Sequence, residues 1–231
     1  MKKNFLEEQG YSGHKVIVFG TGQIAEIARF YLDNFSDNDV IGYTVNREFI
    51  RESFKDNLPV IPWENIELNY STEDYRLFCP VSFKNVNKNR KRVYLEGKEK
   101  GYGFVSFIHP DARYYNTFVG ENCFIFEDNV IQPYTRIGDN CILWSGNHIG
   151  HHSIIGDHCF VASHVVISGA VNIGESCFFG VNSTVVDNVN IGESCVIGAA
   201  ALVTKSLPAN SMVAAPKSRY FDEYKGKLGG D

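Results

Sequence analysis

The chain of 231 residues contains no run approaching the roughly 20 apolar residues that a membrane span requires. Its start, Met1–Lys2–Lys3–Asn4–Phe5–Leu6–Glu7–Glu8, lacks the apolar segment of a signal peptide. The expectation is a cytoplasmic protein, whose product can still be destined for the cell surface. A basic excess is also lacking. With 22 Lys and Arg against 27 Asp and Glu, the net charge is −5, which opposes broad binding to nucleic acid or anionic membranes. The one basic cluster, Lys88–Asn89–Arg90–Lys91–Arg92, reads as a solvated helix face. There are six cysteines but no Cys-x-x-Cys pair, so a metal or disulfide framework is disfavoured. What the chain has is apolar content: 44% hydrophobic residues, enough for the core of one large domain or two modest ones.

A repeat organises the second half. From Val119, steps of six reach Ile125, Ile131, Ile137, Leu143, Ile149, Ile155, Val161, Ile167, Ile173, Phe179, Val185, Ile191, Ile197 and Val203. Every one is apolar. A second period of 18 lies over the first, with Gly120, Gly138, Gly156, Gly174 and Gly192 each following an apolar residue. Three sixes per turn describe a β-helix of hexapeptide repeats: three short strands and three corners in each coil. At a strand spacing of about 4.8 Å, roughly five coils give a prism about 24 Å tall. The segment from Phe104 to Pro110 and the residues after Val203 are placed to cover its open ends. Cys123, Cys141, Cys159, Cys177 and Cys195, also 18 apart, read as a ladder of small packing residues at one corner. Cys79 lies outside the ladder.

The first 105 residues keep a different rhythm. Lys15–Phe19 reads as a strand ending in Gly20–Thr21–Gly22, followed by the amphipathic stretch Ile24–Leu32. Asp39–Val45, Leu58–Ile61 and Tyr75–Cys79 read as further strands, and residues 85–100 as a helix leading to the second domain. Strand and helix alternate as in a small parallel α/β unit. Gly20–Thr21–Gly22–Gln23–Ile24–Ala25 fits the G-x-G-x-x-G/A fingerprint, whose glycines let backbone N–H groups approach a phosphate. A dinucleotide site also wants an acid after the second strand, where this chain reads Thr44–Val45–Asn46. A mononucleotide carrier and a purely structural turn both remain open readings.

Five of the seven histidines fall in one window: His148, His151, His152, His158 and His164. His152, His158 and His164 stand six apart, hence at three different corners, and cannot converge on one metal within a chain. A single histidine at a corner facing a cleft suits a general base at neutral pH. Acyl transfer needs that base and donors for a tetrahedral oxyanion, which a glycine corner such as Gly169, one coil above His151, can offer. A solvent-exposed turn histidine is the plainer alternative. A zinc site of the carbonic-anhydrase type, assembled between subunits, is a further one.

With these residues in view the chain resembles the bacterial sugar acyltransferases of the sialic-acid O-acetyltransferase and bacillosamine-type N-acetyltransferase group. The resemblance runs from about Lys15 to Arg219. It is strongest over Ile149–Gly150–His151–His152–Ser153–Ile154–Ile155–Gly156, over Ile167–Gly174, and at Ala215–Pro216–Lys217. It implies a small Rossmann-like α/β domain (residues 1–105) joined to a left-handed parallel β-helix (residues 106–231), assembled as a homotrimer. It implies transfer of an acetyl group from acetyl-CoA to an amino or hydroxyl group of a nucleotide-linked sugar, for cell-surface glycans such as lipopolysaccharide, with no metal. By the same matching His151 is the base. His152 stands where the family usually places Glu or Asp, which leaves open what orients the base. Gly169 contacts the thioester, Ala199 lies along the acyl-CoA and Lys217 sits near its phosphates. Gly20, Thr21, Gly22 and Asn46 lie beside the nucleotide. A non-catalytic nucleotide-sugar-binding protein is the remaining alternative.

Overall fold

The computed structural model describes residues 10–218, so Met1–Glu8 and Arg219, at the two ends of the readings above, lie outside the described residues. The N-terminal sheet has six strands: β1 (Lys15–Phe19), β2 (Asp39–Val45), β3 (Phe54–Lys55), β4 (Leu58–Pro62), β5 (Tyr75–Phe78) and β6 (Gly103–Phe104). Their order is β3-β4-β2-β1-β5-β6, all parallel except the short β3–β4 pair. Val16, Ile17 and Val18 are fully buried, as a strand covered on both faces requires. Helix α1 (Gln23–Phe35) buries Ala25, Ala28 and Leu32 along one stripe. Helix α2 (Lys88–Glu99) closes the unit, and Val105 N–H still bonds the Leu77 carbonyl at its edge.

From Phe107 onward the chain coils through two-residue strands that stack into parallel sheets of seven, six and five strands. In each strand of the repeat the second residue points inward and is buried, from Val119 to Val203. Each corner is turned by a residue in the left-handed region, six apart along the chain: Asn122 (φ 53°), Tyr134 (66°), His152 (58°), Ala170 (54°) and Asn188 (60°) among them. Asn tolerates that region. Tyr, His and Ala hold it against a cost of about 1–2 kcal/mol each, imposed by the ladder of backbone bonds between coils. The six-residue repeat and the three-sided stack fit a left-handed β-helix.

The ends of the stack differ from expectation. Phe107–Ile108, within the segment expected as a cover, is a strand of the first coil, and Arg113–Tyr114 is the next. Met212–Val213 likewise adds a strand at the far end. Register explains why the repeat conceals them. Val119 pairs with Ile137, a full period along the chain, but Ile108 pairs with Ile125, which falls just short of a period. Val213 also comes early, before a full period has passed from its partner Ile197. Shortened corners break the step of six without breaking the stack.

The two parts are joined by apolar packing and by a buried cation. Outward-facing Phe107, Phe124, Ile142 and Phe160 share one core with Val16, Ala25, Ala28 and Leu32. Arg90, read from the sequence as part of a solvated face, is fully buried. Its guanidinium donates to the carbonyls of Val81, Asn140, His158 and Cys159 and to Asn87 Oδ1, at 2.7–3.2 Å. Burial pushes its pKa down to about 10, so it stays charged at neutral pH. Charge patterning misses Arg90 because the edge that α2 covers offers carbonyls as partners in place of carboxylates. Its neighbours Lys91 and Lys98 pair with Glu175 and Glu121 at 2.6 and 2.5 Å. The cysteine ladder stands at this same edge. All five are buried, and Cys123, Cys141, Cys159 and Cys177 donate S–H to the carbonyls of Gly138, Gly156, Gly174 and Gly192.

Candidate active site

The corner Gly150–His151–His152–Ser153 follows the strand His148–Ile149, and the sequence makes it by placing small residues where coils touch. A Cβ on Gly150 would lie 2.4 Å from the Ser168 carbonyl carbon, so only glycine fits there. Ser153 Oγ donates to the Ser168 carbonyl at 3.0 Å and accepts Val171 N–H at 3.1 Å, tying this coil to the next. His151 is exposed, and its backbone N–H donates to Gln132 Oε1 at 2.9 Å. Its ring lies against Gly169 in the next coil. The point that a Gly169 Cβ would occupy is 2.8 Å from both Cε1 and Nε2 of the imidazole. Gly169 thus makes room for the ring.

Gly169 does not present a free donor in this arrangement. Its N–H is held by Asp187 Oδ1, one coil further on, at 2.7 Å. The oxyanion role expected of that N–H is therefore not the one the geometry supplies. The sequence reading singles out neither Asp187 nor Gln132. Each bonds a residue of the adjacent coil, and the long period of the repeat is the signal that places such positions side by side.

His152 Nδ1 is 3.1 Å from His151 Nδ1, with the two rings nearly perpendicular at 85°. The His152 ring also packs on Tyr134, one coil below, at 4.8 Å between centroids. His158 and His164 occupy the next two corners, away from this edge. His158 is buried and neutralised: burial holds its pKa below the ordinary value, and its Nδ1 is 2.8 Å from Asn140 Nδ2. Among the described residues no group of three or more His, Cys, Asp or Glu side chains could hold a metal ion.

The other expected contacts lie elsewhere within one chain. Ala199 is exposed on a different corner, and its backbone covers Gly180. Lys217 is exposed beyond the last strand. Among the described residues no hydrogen bond, ion pair or ring contact joins either of them to His151. Lys205 is the cation that stands on the His151 edge, one coil beyond Asp187.

The glycine turn forms a second candidate site. Gly20 takes φ 107°, a conformation open to glycine, and its N–H donates to the Thr44 carbonyl at 2.7 Å. Gly22 caps α1 without any side-chain bond. Thr21 lines a cavity of about 260 Å³ with Arg51, Glu52, Phe54, Lys55 and Val60. Lys55 is paired with Glu26 at 2.7 Å, so Arg51 is the cation that this cavity, which Glu52 also lines, offers an anion near the N-terminus of α1. Asn46 is engaged, its Nδ2 donating to Glu64 Oε1 at 3.3 Å. Glu64 also accepts Arg47 N–H, and these donors hold its carboxyl below the usual range against the opposing effect of burial. Glu64, from the segment after β4, thus stands against Asn46 at the end of the second strand.

Residues 134–169 match the bacterial transferase hexapeptide family (six repeats), and residues 170–205 the hexapeptide repeat of succinyl-transferase. No curated protein sequence matches the chain. Among solved structures, the chain is similar to the acetyltransferase domain of PglB from Neisseria gonorrhoeae. Identity is 20%, coverage 87% of this chain and 97% of that one, and the TM-score 0.74. The same domain in complex with acetyl coenzyme A gives a TM-score of 0.75 at 19% identity, covering 88% and 97%. PerB from Caulobacter crescentus, solved with CoA and GDP-perosamine, shares 23% identity over 86% of this chain and 92% of its own, at a TM-score of 0.73. Hexapeptide repeats of these two models thus occupy residues 134–205, and the chain as a whole has the fold of these bacterial acetyltransferase structures.

Proposed function

We propose that the protein transfers an acetyl group from acetyl-CoA to an amino or hydroxyl group of a nucleotide-linked sugar, with His151 as general base. The observation that carries this reading is the His151 imidazole seated against Gly169 at an outward corner of the β-helix. The fold supports it, since similar structures hold acetyl coenzyme A in one case and CoA with GDP-perosamine in another. In this reading residues 1–105 are a Rossmann-like unit that holds the nucleotide sugar, and residues 106–231 carry out the transfer in the cytoplasm.

The acceptor nitrogen or oxygen attacks the thioester carbonyl while His151 Nε2 takes its proton. The tetrahedral intermediate then expels the CoA thiolate, which receives that proton from the imidazolium. Gly169, which lacks a Cβ, supplies space for ring and thioester, and its N–H is held by Asp187. Thr21 and the glycines beside it, with Arg51, meet the phosphates, and Asn46 lies beside the nucleotide. Ala199 stands at a different corner from the His151 of its own chain, and Lys217 lies beyond the last strand. They serve the site of a neighbouring copy, which a homotrimer would supply. Exposed Val166 and Leu202 on one sheet, Ile154 on the next and Tyr134 at the corner between them give such a neighbour apolar contacts on both sides of the His151 edge.

Thiol release with acetyl-CoA and a panel of UDP-, GDP- and dTDP-linked 4-amino-4,6-dideoxysugars tests the reading. Turnover dependent on one sugar supports it. Absence of both turnover and acetyl-CoA binding overturns it.

A further inference from the structure

We infer that His152 is the positioning residue of this site, its Nδ1 accepting a hydrogen bond from His151 Nδ1–H; the inference rests on the acetyl-transfer reading. Two ring nitrogens 3.1 Å apart share one proton. If His152 donated it, His151 would carry its own proton on Nε2 and would have no lone pair at the Gly169 side. If His151 donates, the Nε2 lone pair faces Gly169, where the acceptor must lose its proton. Only the second arrangement yields a base.

The corner holds the pair in place. His152 takes the left-handed conformation at φ 58°, and its ring rests on Tyr134. Gln132 Oε1 fixes the His151 backbone N–H. Among the described residues neither ring is ion-paired with a carboxylate. The nearest acidic group on this edge, Asp187, is engaged with Gly169 N–H. A neutral acceptor therefore does here what a carboxylate does in a His–carboxylate pair: it selects the tautomer, but adds no negative charge. When His151 takes the proton, its bond to His152 becomes charge-assisted and shortens.

Substitutions at position 152 separate this role from a structural one. Asn places Oδ1 the same number of bonds from Cβ as His Nδ1, and Asn suits the left-handed conformation. Ala removes the acceptor, and Ala170 already holds the equivalent corner of the next coil. The first readout is the ¹⁵N spectrum of histidine-labelled protein at neutral pH without substrate, with His151→Ala assigning the His151 signals. We expect Nδ1–H for His151 in the wild type and in His152→Asn, and a return toward Nε2–H in His152→Ala. The second readout is kinetic. His152→Ala should lose about tenfold or more in kcat at unchanged KM, and His152→Asn should recover most of that loss.

A wild-type His151 protonated on Nε2 overturns the inference, as does His152→Ala with wild-type kcat. Nδ1–H in His151 together with no acetyl transfer by the wild type overturns the reading beneath it, and the catalytic role with it, while the pairing itself stands.

Discussion

Gly169 and His151 touch across two coils with no atom to spare: a Cβ at 169 would lie 2.8 Å from the imidazole Nε2. Gly169→Ala should therefore displace the ring, and a displacement near 1 Å costs about 100-fold in rate. The backbone at 169 is not in the left-handed region, so the fold should survive. The expected outcome is a melting temperature close to wild type with kcat reduced about 100-fold, measured by thiol release. Full activity in Gly169→Ala would remove the ring from the chemistry.

The nucleotide cavity gives an independent prediction. Arg51→Ala removes a cation beside Thr21 from a site that meets phosphates. KM for the nucleotide sugar should rise severalfold and become less sensitive to salt, while KM for acetyl-CoA stays unchanged. Initial rates at two ionic strengths, varying each substrate in turn, check this. An equal effect on both KM values would place the cavity outside the sugar site.

Arg90 is a stability residue. Arg90→Met leaves the carbonyls of Val81, Asn140, His158 and Cys159 without their donor, a loss of about 2–4 kcal/mol. Lys88→Met on the exposed face of α2 should change stability by less than about 0.5 kcal/mol. Denaturant unfolding of both variants makes the comparison.

Buried His158 makes stability depend on pH. Its folded pKa lies below its unfolded value near 6.5, because burial disfavours the cation. Its contribution is complete above about pH 6.5 and is lost as pH falls toward the folded value, since the unfolded chain then binds the extra proton. His158→Asn, which extends the Asn122–Asn140 ladder, should flatten the fall in melting temperature between pH 7 and 5. Parallel curves for variant and wild type would contradict this.

The β-helix is legible in the sequence because one inward residue in six must be apolar, and that rule has no exception from Val119 to Val203. Its end coils are hidden by shortened corners, which put Ile108 and Val213 out of step with the repeat. The elements around the glycine turn are also legible, since β1, α1, β2, β4 and β5 each carry a period or a breaker. The His151 corner can be located, but not its chemistry: that Gly169 N–H binds Asp187, and that His152 faces His151 through Nδ1, depends on side-chain rotamers. Arg90 is misread for the same reason, because charge patterning sees the residue and not the carbonyls it faces. Glu64 reaches Asn46 through a connection that no sequence period encodes.

The most direct test of the central claim is acetyl-CoA-dependent thiol release in wild type and His151→Ala with each nucleotide-linked amino sugar. The protein's own six cysteines are buried, so they should react slowly with the thiol reagent in the native state and leave a low background. The account predicts turnover with one sugar and a loss of at least about 100-fold in His151→Ala, with acetyl-CoA binding retained. Turnover within a few-fold of wild type in His151→Ala would contradict the assignment of the base, and with it the catalytic reading of this corner.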